Sequence, residues 1–241
     1  MDLRGAGAIV TGGSRGLGAA LGARLAAQGA RVVLVARDRM PLEETALRIR
    51  AAGGEAHALA EDVGDKTAIH RIAGAAAALV GRIDLLVHNA STLGPVPLRL
   101  LLDTECEDLE RVLAVNLVGP FRLTRAIAGP MVLHGGGVVV HVSSDAATSP
   151  YPRWGAYGVS KAALDHLNRI WAAELEGTGV RFLGVDPGEM NTRMHADAIP
   201  EADPKALADP ATVADRIVAL VQRERVASGA RVEAANLEAS S

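Results

Sequence analysis

Ala8-Ile9-Val10-Thr11-Gly12-Gly13-Ser14-Arg15-Gly16-Leu17-Gly18 is the stretch whose reading decides the fold. Its opening apolar residues predict a short buried strand, the glycines a tight turn, and the run from residue 17 to 28 a helix. Strand, glycine-rich turn and helix together make a cradle for a pyrophosphate. Glycine lets the backbone come close, and the helix start offers free N–H groups and the positive end of its dipole. Gly12, Ser14, Arg15, Gly16, Leu17 and Gly18 are therefore candidate cofactor-binding residues. Their spacing is Gly-x-x-x-Gly-x-Gly rather than Gly-x-Gly-x-x-Gly.

Outward from this stretch, strand and helix patterns alternate. Strands are expected at 31–36, 56–60, 85–87, 138–142, 180–185 and 230–233. Helices are expected at 41–51, 67–80 and 211–223, with a long one at 104–132 interrupted around Asn116 and Gly119-Pro120. The alternation predicts an α/β architecture, a Rossmann-type doubly wound parallel sheet with helices on both faces. Composition agrees: 49% of residues are hydrophobic but 2% aromatic, so the interior is built from Ala, Val, Leu and Ile. With no repeat and no dividing linker, residues 1–241 read as one domain with a mobile loop or lid at 187–210.

The same composition excludes several classes of function. A net charge of −3 without a basic stripe gives nucleic acid nothing to hold. One cysteine, Cys106, fits a reducing compartment, and no apolar run reaches membrane-spanning length. The start of the chain lacks the features of an export signal, so a soluble cytoplasmic protein is expected and the Asn89-Ala90-Ser91 sequon carries no weight. The seven histidines are scattered, and no metal site is expected.

Ligands bind open parallel sheets outside the carboxyl ends of the strands. Asp62, followed by Val63, ends one strand and suits an adenine amino group, while Asn89-Ala90 would lie beneath the adenosine ribose. After the second strand, where NAD-binding folds place an acid, stand Ala36 and then Arg37. A guanidinium at Arg37, with a second at Arg15, would meet a 2′-phosphate, so NADP(H) is preferred over NAD(H). Asp38 argues the other way, as an acid displaced by two positions.

Tyr157-Gly158-Val159-Ser160-Lys161 carries the chemistry. Leu164, Leu167, Trp171 and Leu175 recur at helical spacing, so Tyr157 and Lys161 share one face. An ammonium beside a phenol favours the phenolate and lowers its pKa, which would make Tyr157 a general acid and base near neutral pH. Lysine is rare here: three Lys accompany 22 Arg, and one follows the tyrosine.

Taken together, the Thr11 to Gly18 turn, Asp62, Asn89-Ala90, Asn116, Ser144, Tyr157, Lys161 and Pro187-Gly188 with Thr192 resemble the short-chain dehydrogenase/reductase family across nearly the full chain. The resemblance implies an NAD(P)-dependent oxidoreductase acting on a carbonyl or alcohol. Ser144 would donate to the carbonyl oxygen and Tyr157 would transfer its proton. Lys161 would lower the tyrosine pKa and hold the nicotinamide ribose, and Asn116 would bind a water linking Lys161 to solvent. Pro187, Gly188 and Thr192 would fix the carboxamide. Two departures stand out: Ser91 replaces a usual glycine, and the last strand lacks the usual Asp-Gly-Gly ending.

Residues 93–97, Tyr151, Trp154, Met190 and Met194 should surround an apolar substrate pocket, and Trp154 is similar to sepiapterin-reductase-like and benzil-reductase-like members. Surplus apolar residues at 109–127 and 164–175 suggest a homo-dimer or homo-tetramer. Two other classes compete. A non-catalytic NADP(H)-binding sensor or scaffold would keep the fold without turnover. A hydrolase would use Gly12-Gly13-Ser14-Arg15-Gly16 as a nucleophile elbow with His134-Gly135-Gly136-Gly137, although that order is reversed.

Overall fold

The central strands of the sheet are buried on both sides, because helices cover both faces. The computed structural model describes residues 1–223 and 226–237. In chain order its first half runs β1 (Gly7–Thr11), α1 (Gly16–Ala27), β2 (Arg31–Ala36), α2 (Arg39–Ala51), β3 (Glu55–Ala60), α3 (Ala68–Val80) and β4 (Leu85–His88). Then come α4 (Cys106–Leu113), a π-helical segment (Ala114–Val118), α5 (Gly119–Leu133), β5 (Gly137–Val142) and α6 (Gly155–Glu174). The chain continues through β6 (Val180–Asp186), α7 (Arg193–Ala198), α8 (Pro210–Gln222) and β7 (Arg231–Glu233). The strands pair in parallel in the order β3-β2-β1-β4-β5-β6-β7. This is the doubly wound sheet that the alternation predicts.

Strand periodicity divides the core in two. Ala8, Val10, Val32 and Leu34 face one side, against Leu21, Leu25, Leu42 and Ile217 of α1, α2 and α8. Ile9, Val33 and Val35 face the other, against Ile69, Ile72, Leu123 and Ile127 of α3 and α5. Successive residues of one strand thus anchor opposite layers.

Two expectations change in detail. The 104–132 helix is interrupted by a π-helical turn centred on Asn116, and Pro120 falls in the first turn of α5. Its missing N–H therefore lies where a helix start has few internal bonds to lose. The 187–210 stretch, expected as a loop, contains α7 and a 3₁₀ turn at Pro204–Ala206. A β-bridge between Met190 and Ala208 ties its two ends together.

Candidate active site

Strand order reverses between β1 and β4, and the carboxyl ends of the strands there open into a groove of about 490 Å³. Gly12, Ser14, Arg15, Gly16, Leu17, Arg37, Asp62, Val63, Asn89, Ala90, Tyr157, Lys161, Pro187, Met190, Thr192 and Met194 all line it. Gly18 and Gly188 are outside the lining, Gly18 buried and Gly188 exposed. A Cβ on Gly18 would collide with the Gly12 carbonyl, and Gly12 itself has φ +68°, so this turn is closed to larger residues. Asn89 holds the turn from the other side. Its Nδ2 donates to the carbonyls of Thr11 at 3.0 Å and Gly12 at 3.3 Å.

The groove fits a dinucleotide. Arg15, at the N-cap of α1, provides no side-chain cap, and no acid stands in the first turn. The N–H groups there are free to meet a phosphate. Arg15 pairs with Asp38 at 3.0 Å, and Arg37 beside them is exposed without an ion pair among the described residues. Asp62 Oδ1 accepts from the Gly64 N–H at 2.8 Å. Thr192 caps α7 by accepting from the His195 N–H at 3.2 Å, and its methyl faces Gly16. The segment after β6 therefore touches the glycine turn.

At the other end of the groove α6 delivers Tyr157 and Lys161, both buried. Burial works against the expected lowering of the tyrosine pKa. Burial pushes the Tyr157 hydroxyl up to about 12, with Asp186 and Asp145 adding to the rise and the Ser144 and Ser91 hydroxyls opposing it. Burial also lowers Lys161 to about 8, although Asp165 and Asp186 act to raise it. Lys161 Nζ is turned to the Val142 carbonyl at 2.7 Å and lies 5.5 Å from the Tyr157 ring centre. For both groups desolvation is the largest cause.

Ser144 lies two residues past β5 beside this pair, outside the groove lining. Its Oγ donates to Asp145 Oδ1 at 3.0 Å and accepts from the Ala146 N–H at 3.2 Å. Trp154 meets Tyr157 edge-on at 5.7 Å, and with Leu93, Leu98, Met194 and Ala198 it forms an apolar wall. Tyr151 is not part of that wall. It is 45% exposed, and its hydroxyl donates to Asp145 Oδ2 at 2.9 Å.

Asn116, expected to bind a water, has an amide that also bonds directly to protein. Oδ1 accepts from the Thr92 N–H at 2.8 Å, while Nδ2 donates to the Thr92 carbonyl at 2.9 Å and to Ser160 Oγ at 2.9 Å. Ser160 in turn donates to the Tyr157 carbonyl at 2.6 Å. The π-helical turn thus clamps the loop after β4 onto the helix that carries the tyrosine.

Sequence reading gave no role to Ser160 or Thr92, nor to the hydroxyl of Thr11, which accepts from the N–H groups of Asn89 and Ala90 and donates to the Val87 carbonyl. Thr11 and its partners lie far apart in the chain, so no local pattern marks them. Ser91, noted as a departure, has a buried Oγ that completes no hydrogen bond. The hydrolase reading fails on topology. Ser14 follows the carboxyl end of β1 and His134 precedes the amino end of β5, at opposite ends of the parallel strands. Among the described residues no three His, Cys, Asp or Glu side chains gather as a metal site, and no helix is long and apolar enough to cross a membrane.

Known proteins place this geometry. The short chain dehydrogenase model matches residues 6–203. A short chain dehydrogenase of Pseudocercospora fijiensis is 39% identical over 97% of this chain and 81% of its own. A short chain dehydrogenase structure from Pseudomonas syringae superposes with a TM-score of 0.89 at 33% identity, covering 97% of this chain and 96% of that one. A metagenomic short-chain oxidoreductase in complex with NADP gives 0.82 at 33%, covering 97% and 99%. An NAD⁺-bound xylitol dehydrogenase shares the fold at 0.85 and 24%, covering 97% and 98%. With its fold and most of its length held in common with these proteins, the chain belongs to the short chain dehydrogenase family of oxidoreductases.

Proposed function

We propose that the protein moves hydride between NADP(H) and a small carbonyl or alcohol, working as a ketone or dicarbonyl reductase with Tyr157 as general acid and base. The observation that carries this reading is the burial of the Tyr157 hydroxyl at the end of a groove that begins in the glycine turn. A bound reduced nicotinamide supplies the hydride. Tyr157, with its pKa held high, is fully protonated at neutral pH and gives its proton to the forming alkoxide. Ser144 Oγ turns its proton from Asp145 to the same oxygen, and Lys161 orients the nicotinamide ribose and supplies positive charge near the tyrosine.

Arg37 and Arg15 support NADP(H), because both line the groove where a 2′-phosphate would arrive. The apolar wall of Trp154, Leu93 and Met194 favours a compact aromatic ketone or dicarbonyl. Phe121 on α5 and Val159 and Ile170 on α6 are exposed, which supports a homo-dimer or homo-tetramer of single-domain chains in the cytoplasm. The test is NADPH and NADH consumption, side by side, against ketones, diketones and aldehydes, with Tyr157→Phe as control. The variant should lose roughly 10²-fold or more of kcat while still binding NADPH. A Phe variant as fast as the parent overturns the proton assignment, and NADPH binding without any turnover favours the sensor reading.

A further inference from the structure

Arg231 stands on β7, the strand at the edge of the sheet, and its guanidinium reaches three other parts of the chain. Nε donates to Asp165 Oδ2 on α6 at 3.1 Å. Nη2 donates to Asp186 Oδ2 at the end of β6 at 2.8 Å and to the Ser144 carbonyl at 3.0 Å. Nη1 lies 3.8 Å from Glu233. The Asp165 and Asp186 side chains are only 5% and 7% exposed. Two buried carboxylates therefore share one cation, and that cation also holds the backbone of the serine beside Tyr157.

We propose that Arg231 is a positioning residue for the active site, locking the Ser144 turn and the end of β6 to the Tyr157 helix and cancelling the charge of Asp186. The proposal rests on the catalytic reading of Ser144 and Tyr157 given above. Asp186 directly precedes Pro187-Gly188, and its Oδ1 accepts from the Gly188 N–H at 3.0 Å. Through Asp186 the guanidinium orients the start of the segment over the groove, and through the Ser144 carbonyl it sets where that hydroxyl points. No local motif announces this: Arg231 is 66 residues from Asp165 and 87 from Ser144.

The charge consequence has a definite sign. Tyr157 is faced by Ser144 and Asp145 after β5, by Asp186 from β6, by Ser91 after β4 and by Lys161 on its own helix. His141, on β5, lies near Lys161 and is itself kept neutral by burial. Asp186 raises the proton affinity of Tyr157, and Arg231 opposes the charge of Asp186. Without Arg231 an uncompensated carboxylate faces the phenol, and phenolate becomes harder to form.

The chain has two tyrosines, so Tyr151→Phe leaves Tyr157 as the sole phenol for absorbance titration. In that background, with circular dichroism marking the folded range, Arg231→Met should give less phenolate than Arg231 at each alkaline pH. Adding Asp186→Asn should restore it. Superimposable titrations for Arg231 and Arg231→Met overturn the electrostatic half of the proposal.

Arg231→Lys keeps the charge and cannot span all three acceptors. With NADPH and 1-phenyl-1,2-propanedione as probes, it should lower kcat about tenfold with KM for NADPH unchanged. An unchanged kcat overturns the positioning half, and this variant also serves if Arg231→Met does not fold. A Tyr157→Phe chain as active as the parent, or no turnover by the parent, sinks the catalytic reading instead. The phenolate titration still decides the role of Arg231 in that case.

Discussion

Lys161 lies over the ring of Tyr157: its ammonium is 5.5 Å from the ring centre and gives a 2.7 Å hydrogen bond to the Val142 carbonyl. The two side chains share a helix face, yet burial moves them in opposite senses, the phenol up to about 12 and the ammonium down to about 8. Each is driven toward its neutral form, because a low-dielectric wall penalises either charge.

This has a consequence for stability against pH. Lys161 binds its proton less tightly folded than unfolded, so between about 8 and its ordinary 10.5 the unfolded chain holds more protons and stability rises with pH. Tyr157 acts oppositely above its ordinary 10.0, where the unfolded phenol ionises and the folded one does not. Denaturant titrations from pH 8 to 10 should show the parent gaining stability relative to Lys161→Met. Parallel curves would refute the depressed lysine.

The histidines beneath the site give an acid counterpart. His88 and His141 stack at 4.9 Å, His88 Nε2 meets Thr124 Oγ1 at 2.8 Å, and His141 Nδ1 meets Asn168 Oδ1 at 3.0 Å. Burial lowers His141 to about 4 and His88 well below its ordinary value. The unfolded chain takes up these protons near 6.5, so stability is full above that pH and is lost as pH falls toward 4. His141→Gln should flatten that slope, as read by urea midpoints across the same range.

Asn116 is expected to matter for stability as well as rate. Asn116→Ala leaves the N–H and carbonyl of Thr92 without the partners they have now, which should cost about 2–4 kcal/mol. Turnover should fall too, because the clamp onto Ser160 is lost. Equilibrium unfolding of Asn116→Ala gives the number, and a change below about 0.5 kcal/mol would exclude the clamp.

Cofactor choice turns on Arg37. It is exposed and unpaired among the described residues, whereas Arg15 is already engaged by Asp38 at 3.0 Å. Arg37→Ser should raise KM for NADPH about tenfold or more while leaving KM for NADH nearly unchanged. Equal effects on both would remove Arg37 from 2′-phosphate recognition.

The glycine turn, the strand–helix alternation and the Tyr157–Lys161 spacing were readable in the chain because each rests on neighbours within a few residues: a φ only glycine tolerates, a period of two or three to four, one helical turn. Local pattern was enough to place both ends of the groove. It was not enough for the clamp of Thr92, Asn116 and Ser160, or for Arg231 joining Asp165, Asp186 and Ser144. Those bonds join residues 24 to 87 positions apart, and only the packed sheet brings them into contact. The direction of the tyrosine pKa likewise belonged to the fold. Spacing put a cation near Tyr157, but burial, which no local pattern encodes, decided which protonation state it keeps.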